Sequence, residues 1–330
     1  MLKPILAGIL VAFGLAVGHT CLASAPPEVV VSIKPIHSLV AAVMDGSAEP
    51  TLLVPSGASP HTYSLRPSDA RALQSSDLVF WVGDGLETFL QKPLAALVQQ
   101  ARVVELVDTP GLTLLPYRSN GPWEAHVHGS AAHDEGDDDD EHDHGRDEDP
   151  GHEHAHGIDM HIWLDAGNAE TIVHAVATAL ASADPDRAPL YAANADRTVA
   201  RLKALDGTLH TSLAPLAGRP YIVFHDAYQY IEHRYGLTPA GSITVSPERQ
   251  PGAQRVAAIR RKIIGLGAVC VFSEPQFQPA LVQTLIEDTP ARTGVLDPIG
   301  GPDVSPGPQA YFTMMQTIVH SIRECLAPGS

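Results

Sequence analysis

Histidines are concentrated in one stretch of this 330-residue chain, between residues 126 and 161. The stretch reads HVHGSAAHDEGDDDDEHDHGRDEDPGHEHAHGIDMH, in which imidazoles alternate with carboxylates and glycines. These two donor groups suit Zn, Cu, Ni or Co better than Mg or Ca. With so little apolar surface to bury, the segment at about 120–158 should be a disordered loop that binds metal only weakly, as an auxiliary site. The histidines of this loop are His126, His128, His133, His142, His144, His152, His154 and His156.

Two interpretations of the loop remain open. In an extended chain, alternate residues point to the same side, so the repeated H-x-H pattern could place His152, His154 and His156 around one ion. The loop could then gather metal and pass it to a tighter site. Alternatively, it is a solvated acidic linker or spacer whose histidines are incidental.

Four other possible ligands stand near the ends of predicted strands. His61 follows the apolar run that ends at Pro55, His161 opens the strand-like run HIWLD, His225 ends YIVFH, and Asp297 ends RTGVLD. Groups at the carboxyl ends of parallel strands converge on the binding edge of a sheet. Any one of them alone would be an ordinary hydrogen-bonded residue. Together, and beside a metal-collecting loop, they predict a metal site.

The elements that must position these residues alternate between strand and helix. Short apolar runs in the first half of the chain are typical of strands buried on both faces of a parallel sheet, and the second half repeats the alternation of strand and helix. The alternation predicts an α/β fold of two doubly wound lobes with a ligand cleft between them. We expect strands at 28–33, 49–55, 77–83, 102–108, 221–225, 240–245, 268–274 and 292–297, and helices at 68–74, 86–100, 166–183, 227–235, 251–264, 279–287 and 308–326.

One long helix is predicted between the lobes, from about Ala188 to Leu213. Pro189 fits its first turn and Pro215 stops it. Its leucines recur at steps of three and four residues, which gives a single apolar stripe. About 25 residues at 1.5 Å each make a rod of roughly 38 Å, long enough to join two lobes stiffly. The expected divisions are a first lobe at 26–185, a linking helix at 186–217 and a second lobe at 218–330.

The N-terminal 25 residues have the features of a secretory signal peptide. Lys3 precedes an apolar run at 5–17, and small residues at 23–25 form the cleavage site. A retained transmembrane anchor is the alternative. No other run approaches the roughly 18 apolar residues that span a bilayer, so we expect a soluble exported protein.

The net charge of −17 comes mostly from the histidine-rich loop. Between residues 133 and 153, twelve acidic residues face one arginine, so the rest of the chain is only mildly acidic. The sequence contains no basic patch or run. We therefore expect no nucleic-acid partner.

Two cysteines remain after cleavage removes Cys21, namely Cys270 and Cys325. In an oxidising compartment an even pair is typical of a disulfide. A metal site on the two thiolates is the alternative, although neither cysteine has another Cys or a His at short metal-site spacing.

Several long motifs resemble the periplasmic zinc-binding proteins of high-affinity zinc ABC importers, the ZnuA type. They are GASPHTYSLRPSDARALQSSDLVFWVG, DMHIWLDAGNA, VFHDAYQYIEHRYGLTPAGSITVSPERQPGAQRV, VCVFSEPQFQPALV and VLDPIG, in this order over nearly the whole mature chain. The resemblance implies two α/β lobes joined by one long rigid helix, with zinc in the cleft. It also implies His61, His161 and His225 as ligands, a disulfide between Cys270 and Cys325, a periplasmic location and a membrane permease as partner. We expect a monomer.

One departure from the family concerns the fourth ligand. Some members carry a glutamate directly before the first histidine, where this chain has Pro60. The fourth position is therefore open to Asp297 or to a water. Relatives that import manganese tend to carry a carboxylate where this chain has His225. Three imidazoles favour Zn²⁺ over the harder manganese ion.

Other functions remain as alternatives to zinc import. The protein could bind manganese or a broader set of divalent metals. It could also be an extracellular adhesion or zinc-buffering protein in which the loop is the functional part. Three histidines and a water also form a catalytic zinc arrangement, with Glu274 as a possible base. No H-E-x-x-H or other hydrolase signature is present, so we expect a binding protein and not an enzyme.

Overall fold

Two four-stranded parallel sheets of the same topology organise the molecule. The computed structural model describes residues 24–118, 123, 157–244, 252–265, 267–277, 279–287 and 289–327. The first sheet has the order β2-β1-β3-β4, with β1 (Val29–Val31), β2 (Thr51–Leu52), β3 (Leu78–Trp81) and β4 (Arg102–Glu105). The second has the order β6-β5-β7-β8, with β5 (Tyr221–His225), β6 (Gly241–Thr244), β7 (Cys270–Ser273) and β8 (Arg292–Val295). The predicted fold of two parallel α/β lobes is confirmed.

Helices connect the parallel strands in both lobes. In the first half they are α1 (Lys34–Met44), α2 (Pro67–Ser75), α3 (Gln91–Leu97) and α4 (Ala166–Ala183). In the second half they are α6 (Gln229–Tyr235), α7 (Ala253–Gly265), α8 (Pro279–Ile286) and α9 (Ala310–Leu326). None of the helices in the described ranges combines the length and apolar character that crossing a bilayer requires.

The long helix α5 (Ala188–Leu213) joins the two lobes, as predicted. The predicted leucine stripe consists of Leu202, Leu205, Leu209 and Leu213, and all four side chains are buried. It packs against α4 and α1 of the first lobe and against α9 of the second. Its 26 residues correspond to a rod of about 39 Å.

Helix α1 was not predicted. Its polar residues Lys34, His37 and Ser38 lie in its first half, and residues 39–44 form an unbroken apolar run, which periodicity alone does not assign to helix or strand. All eleven residues of the helix are buried. The predicted helix at 86–100 is also shorter than expected. A 3₁₀ turn at Thr88–Leu90 precedes α3, and Pro93 lies in the first turn of α3, where its missing N–H costs no hydrogen bond.

Burial on both faces was predicted for the strands of the first half and is wrong for β2 and β4; β8 of the second half is also partly exposed. All three lie at an edge of their sheet, where only one neighbouring strand covers them. Val103 is 38% exposed and Val295 is 53% exposed. The central strands β1, β3 and β5 are buried along their whole length.

The predicted disulfide is present. Cys270 on β7 and Cys325 on α9 are bonded, with their Cα atoms 6.0 Å apart. The bond attaches the last helix to the central part of the second sheet.

Candidate metal centre

Three histidines from distant parts of the chain meet between the lobes. The ligand nitrogens of His61, His161 and His225 all lie within 4.8 Å of one another. The Nε2 atoms of His161 and His225 are 3.4 Å apart. Two nitrogens bound to one tetrahedral zinc at 2.0–2.1 Å would be about 3.3 Å apart, so this spacing fits a shared ion.

His225 and His61 reach the site from the segments that the sequence indicated. His225 is the last residue of β5, at the carboxyl edge of the second sheet. His61 lies in the loop between β2 and α2, where its backbone N–H donates to Ser59 Oγ at 3.3 Å. Helix α2 begins directly after Arg66, and Asp69 accepts the Arg66 N–H at 2.8 Å. This cap fixes the far end of the loop that carries His61.

His161 is positioned by a 3₁₀ turn and not by the predicted strand. Residues Ile162–Leu164 form this turn, and the Leu164 N–H donates to His161 O at 3.1 Å. Asp165 follows at once as the N-cap of α4 and accepts the N–H groups of the next turn. All three residues of the turn are buried, so the run lacks the alternation of a half-buried strand, and the capping aspartate starts a helix.

Two buried carboxylates orient the rings. Asp159 Oδ1 lies 2.7 Å from His161 Nδ1, and Glu274 Oε1 lies 2.6 Å from His225 Nδ1. Each carboxylate keeps the proton on Nδ1 and leaves the Nε2 lone pair facing the site. Asp159 is 1% exposed and Glu274 is 2% exposed. The ring-orienting role of these two residues was not predicted, although D-x-H at 159–161 is a sequence signal for it.

The electrostatics differ between the ligands. Burial alone would lower the pKa of His225, but Glu274, with smaller contributions from the carboxylates of Asp226 and Asp159, leaves this pKa raised above 6.5. Burial lowers the pKa of His61 well below 6.5, and the neighbouring imidazoles of His161 and His225 lower it further. His61 is therefore a neutral donor at neutral pH.

The cavity between the histidines is ion-sized. Its volume is about 10 Å³, room for roughly one water-sized sphere and too little for an organic molecule. Its lining includes Trp163, whose Nε1 donates to Pro298 O across the lobes at 2.7 Å. Low polarity around the imidazoles strengthens their interaction with a cation.

The structure does not bring Asp297 into the histidine group. Asp297 Oδ1 accepts from Gln276 Nε2 at 3.0 Å and from the Ile299 N–H at 3.1 Å. Its Oδ2 is buried and has no hydrogen-bond partner among the described residues. Burial raises its pKa. Asp297 as a fourth ligand stays a prediction, and in this geometry it holds the loop that follows β8.

The eight histidines of the auxiliary loop lie outside the described residues. Their metal binding stays a prediction. The same holds for the signal peptide, of which residues 1–23 lie outside the described ranges.

Comparison with known proteins agrees with this geometry. The family described as "Zinc-uptake complex component A periplasmic" matches residues 29–325. A high-affinity zinc uptake system protein ZnuA of Brucella suis biovar 1 (strain 1330) is 47% identical over 317 residues, 91% of each chain. The ZnuA of Yersinia pestis is 39% identical over 303 residues, 92% of each chain.

Solved structures share the fold at lower identity. A crystal structure of ZnuA gives a TM-score of 0.72 at 22% identity and covers 92% of this chain and 100% of its own. The solute-binding protein FpvC from Pseudomonas aeruginosa, in complex with Ni²⁺, gives a TM-score of 0.72 at 20% identity and covers 92% of this chain and 98% of its own. The family match over nearly the whole chain and the identity to curated relatives place this chain in the ZnuA family of periplasmic zinc-uptake components.

Proposed function

We propose that this protein captures one zinc ion between its lobes with high affinity and delivers it to the membrane permease of an ABC importer. The observation that carries the proposal is the convergence of His61, His161 and His225 in an ion-sized cavity. Curated relatives at 47% and 39% identity are named high-affinity zinc uptake proteins. The proposed location is the periplasm, which an exported chain with a cleaved signal peptide would reach.

The donor set is the argument for zinc over other metals. Solved structures with this fold hold zinc, Ni²⁺ or Mn²⁺, so the fold alone does not determine which metal is bound. Manganese prefers oxygen donors, whereas neutral imidazoles suit zinc. The site offers three imidazoles, two of which have their Nε2 atoms at tetrahedral spacing.

Capture and release follow from the placement of the ligands in two lobes. His61 and His161 come from the first lobe and His225 from the second, so a bound ion holds the lobes together. Release requires His225 to separate from the other two. Helix α5 packs along the first lobe and limits how far the lobes can part, so we expect a modest hinge motion.

Metal titration tests the proposal. The mature protein, titrated with Zn²⁺ against a competing chelator, should bind one ion tightly per chain and should bind Mn²⁺ far more weakly. Failure to find a tight zinc site, or equal affinity for Mn²⁺, would contradict it.

Deleting residues 126–156 should leave the tight zinc site intact. The three histidines of the cleft are held by strand, turn and loop segments outside this range, so their geometry does not depend on it. Titration of the deletion variant should retain the tight step and lose any weaker ones. Loss of tight binding would favour the zinc-buffering or adhesion alternative. A ZnuA deletion mutant with the same fold has a crystal structure with zinc bound.

Glu274→Gln should weaken zinc binding by about 10–100-fold, the usual effect of losing a partner that orients a metal ligand. The amide still accepts a hydrogen bond from His225 Nδ1 but carries no charge, so the imidazole becomes a weaker donor. Competitive titration measures the change. Gln283→Glu on α8, at an exposed position of the same lobe, is a charge control and should bind zinc as the wild type does.

Zinc affinity should fall as the pH decreases, starting above pH 6.5. Zinc binds neutral imidazole, so a proton on a ligand competes with it. The raised pKa of His225 makes this histidine the first of the pair His61 and His225 to protonate, because the pKa of His61 is lowered. Below the pKa of His225 the Kd should rise about tenfold per pH unit.

Titrations at several values between about pH 5 and pH 8 measure this dependence. In Glu274→Gln the onset should move to lower pH, because the carboxylate that raises the pKa of His225 is gone. An affinity independent of pH over this range would contradict protonation of the ligands.

A further inference from the structure

An isolated antiparallel β-bridge joins the segments around Pro116 and Ile158. The Tyr117 N–H donates to Gly157 O at 2.8 Å, and the Asp159 N–H donates to Leu115 O at 2.9 Å. We call residues 115–118 and 157–159 the neck. The neck leads directly into His161 and so belongs to the first lobe.

Helix α6 of the second lobe holds the neck through side chains. The Tyr230 hydroxyl accepts the Leu115 N–H at 3.1 Å and donates to Asp159 O at 2.7 Å. Gln229 Nε2 donates to Pro116 O at 3.1 Å. The Tyr230 side chain is fully buried, so its hydroxyl depends on these two hydrogen bonds, because an unpaired polar group is costly away from water. The hydrogen bond of Gln229 is exposed.

Arg118 adds an ionic contact between the lobes. Its Nη2 lies 2.7 Å from Glu232 Oε2 and 2.5 Å from Asp226 Oδ1. Both carboxylate side chains are only 3% exposed, so the arginine supplies the positive charge that offsets them in the interior. Glu232 also accepts the Tyr221 hydroxyl at 3.0 Å, at the start of the strand that ends in His225.

These contacts connect the neck to both sides of the metal centre. Asp159 of the neck orients His161, and Asp226 directly follows His225. Separation of His161 from His225 would therefore break the contacts of Tyr230 and Arg118 at the same time. We propose that the neck and α6 form a clasp across the two lobes that slows zinc release, with Tyr230 and Arg118 as its positioning residues.

The clasp acts on the rate of release more than on the affinity. None of its contacts uses a ligand nitrogen, so the closed site keeps its donor set when a clasp contact is lost. While the closed form stays the major one, weakening the clasp speeds opening and leaves the Kd nearly unchanged. The inference rests on the proposed function, because it concerns how the bound zinc leaves.

The test measures zinc release from the full mature chain. Zinc-loaded protein is mixed with excess EDTA, and release is followed by the fluorescence of the tryptophans, one of which lines the cavity. Tyr230→Phe removes one hydroxyl and keeps the ring, and Arg118→Lys keeps the charge but shortens the reach. Tyr230→Phe loses both hydrogen bonds of the hydroxyl, which should increase the rate constant of zinc release about tenfold or more. The Kd should stay within about threefold of wild type. The association rate constant should therefore increase by a similar factor.

Tyr235→Phe is the matched control. Tyr235 lies on the same helix, but its hydroxyl donates to Asp206 Oδ1 on α5 at 2.9 Å and not to the neck. Tyr235→Phe should release zinc at the wild-type rate. Urea unfolding of the metal-free proteins should show that Tyr235→Phe and Tyr230→Phe lower the free energy of unfolding by similar amounts. Equal acceleration in both variants would reduce the effect to general destabilisation and overturn the clasp.

The outcomes separate the clasp from the proposed function. If wild type binds one zinc tightly but Tyr230→Phe and Arg118→Lys release it at the wild-type rate, the clasp is wrong and the function stands. If wild type binds no zinc tightly, the proposed function fails and the clasp fails with it.

Discussion

The variant His225→Ala should lose tight zinc binding, with a Kd raised by at least about a hundredfold. The binding free energy of a structural zinc site is about 10–16 kcal/mol. Divided among three or four ligands, the loss of one ligand corresponds to roughly 3 kcal/mol or more, which is a factor of more than about a hundred in Kd. His225 is also the only one of the three histidines that the second lobe supplies, so its loss removes the ion's attachment to that lobe. The carboxylate of Glu274, 2% exposed, would in addition lose its imidazole partner.

Competitive titration of the variant against a chelator measures this loss. His233→Ala is the matched control, because His233 is an exposed histidine on the following helix and should have no effect on zinc. Retention of tight binding in His225→Ala would disprove the site assignment. Far-UV circular dichroism of the metal-free variant separates loss of a ligand from loss of the fold.

Two further substitutions refine the same experiment. His225→Asp should weaken zinc binding and raise the relative affinity for Mn²⁺, because it replaces a nitrogen donor with an oxygen donor. Asp297→Asn examines the fourth ligand. With its Oδ1 engaged by Gln276 and Ile299, we expect a change of less than about tenfold, as for a group outside the metal's own ligands. A loss as large as that of His225→Ala would make Asp297 a ligand.

Elements with strong periodicity or clear ends were predictable from the sequence. Helix α5 has the predicted bounds because prolines mark both of its ends and leucines repeat along one face. Strand β5 also has the predicted bounds, since the apolar run YIVFH is short and lies between polar or small residues. Helix α1 was not predicted because its second half is an unbroken apolar run, which periodicity alone does not assign to helix or strand.

The three histidines could be found from sequence because each one stands beside a recognisable element and within a family motif. Their orienting partners depend on the three-dimensional fold. Glu274 lies 49 positions from His225, and only the pairing of β5 with β7 brings their strand ends together. Arg118 gave no signal, because its contacts with Asp226 and Glu232 require the neck to lie against α6. Contacts between residues far apart in the sequence depend on how the elements pack, and neither periodicity nor composition specifies that packing.

Loss of the disulfide should lower the free energy of unfolding by about 4 kcal/mol. Cys270 and Cys325 are 55 residues apart, and a cross-link over such a loop removes about this much chain entropy from the unfolded state. A Cβ at Gly294 on β8 would lie 2.5 Å from Phe272 and 3.4 Å from the Cys325 Cβ, so sheet and helix already fit closely there.

Urea unfolding of the variant in which Cys270 and Cys325 are both alanine measures this effect, and the reductant dependence is its control. Wild type treated with reductant should lose a similar free energy, whereas the double variant should be indifferent to reductant. The zinc Kd of the folded variant should stay within about tenfold of wild type, because the bond lies at the opposite end of β7 from Glu274 and touches no ligand. Equal free energies of unfolding for the oxidised wild type and the double variant would mean that the cross-link does not lower the entropy of the unfolded chain. In that case α9 is held by its buried face alone.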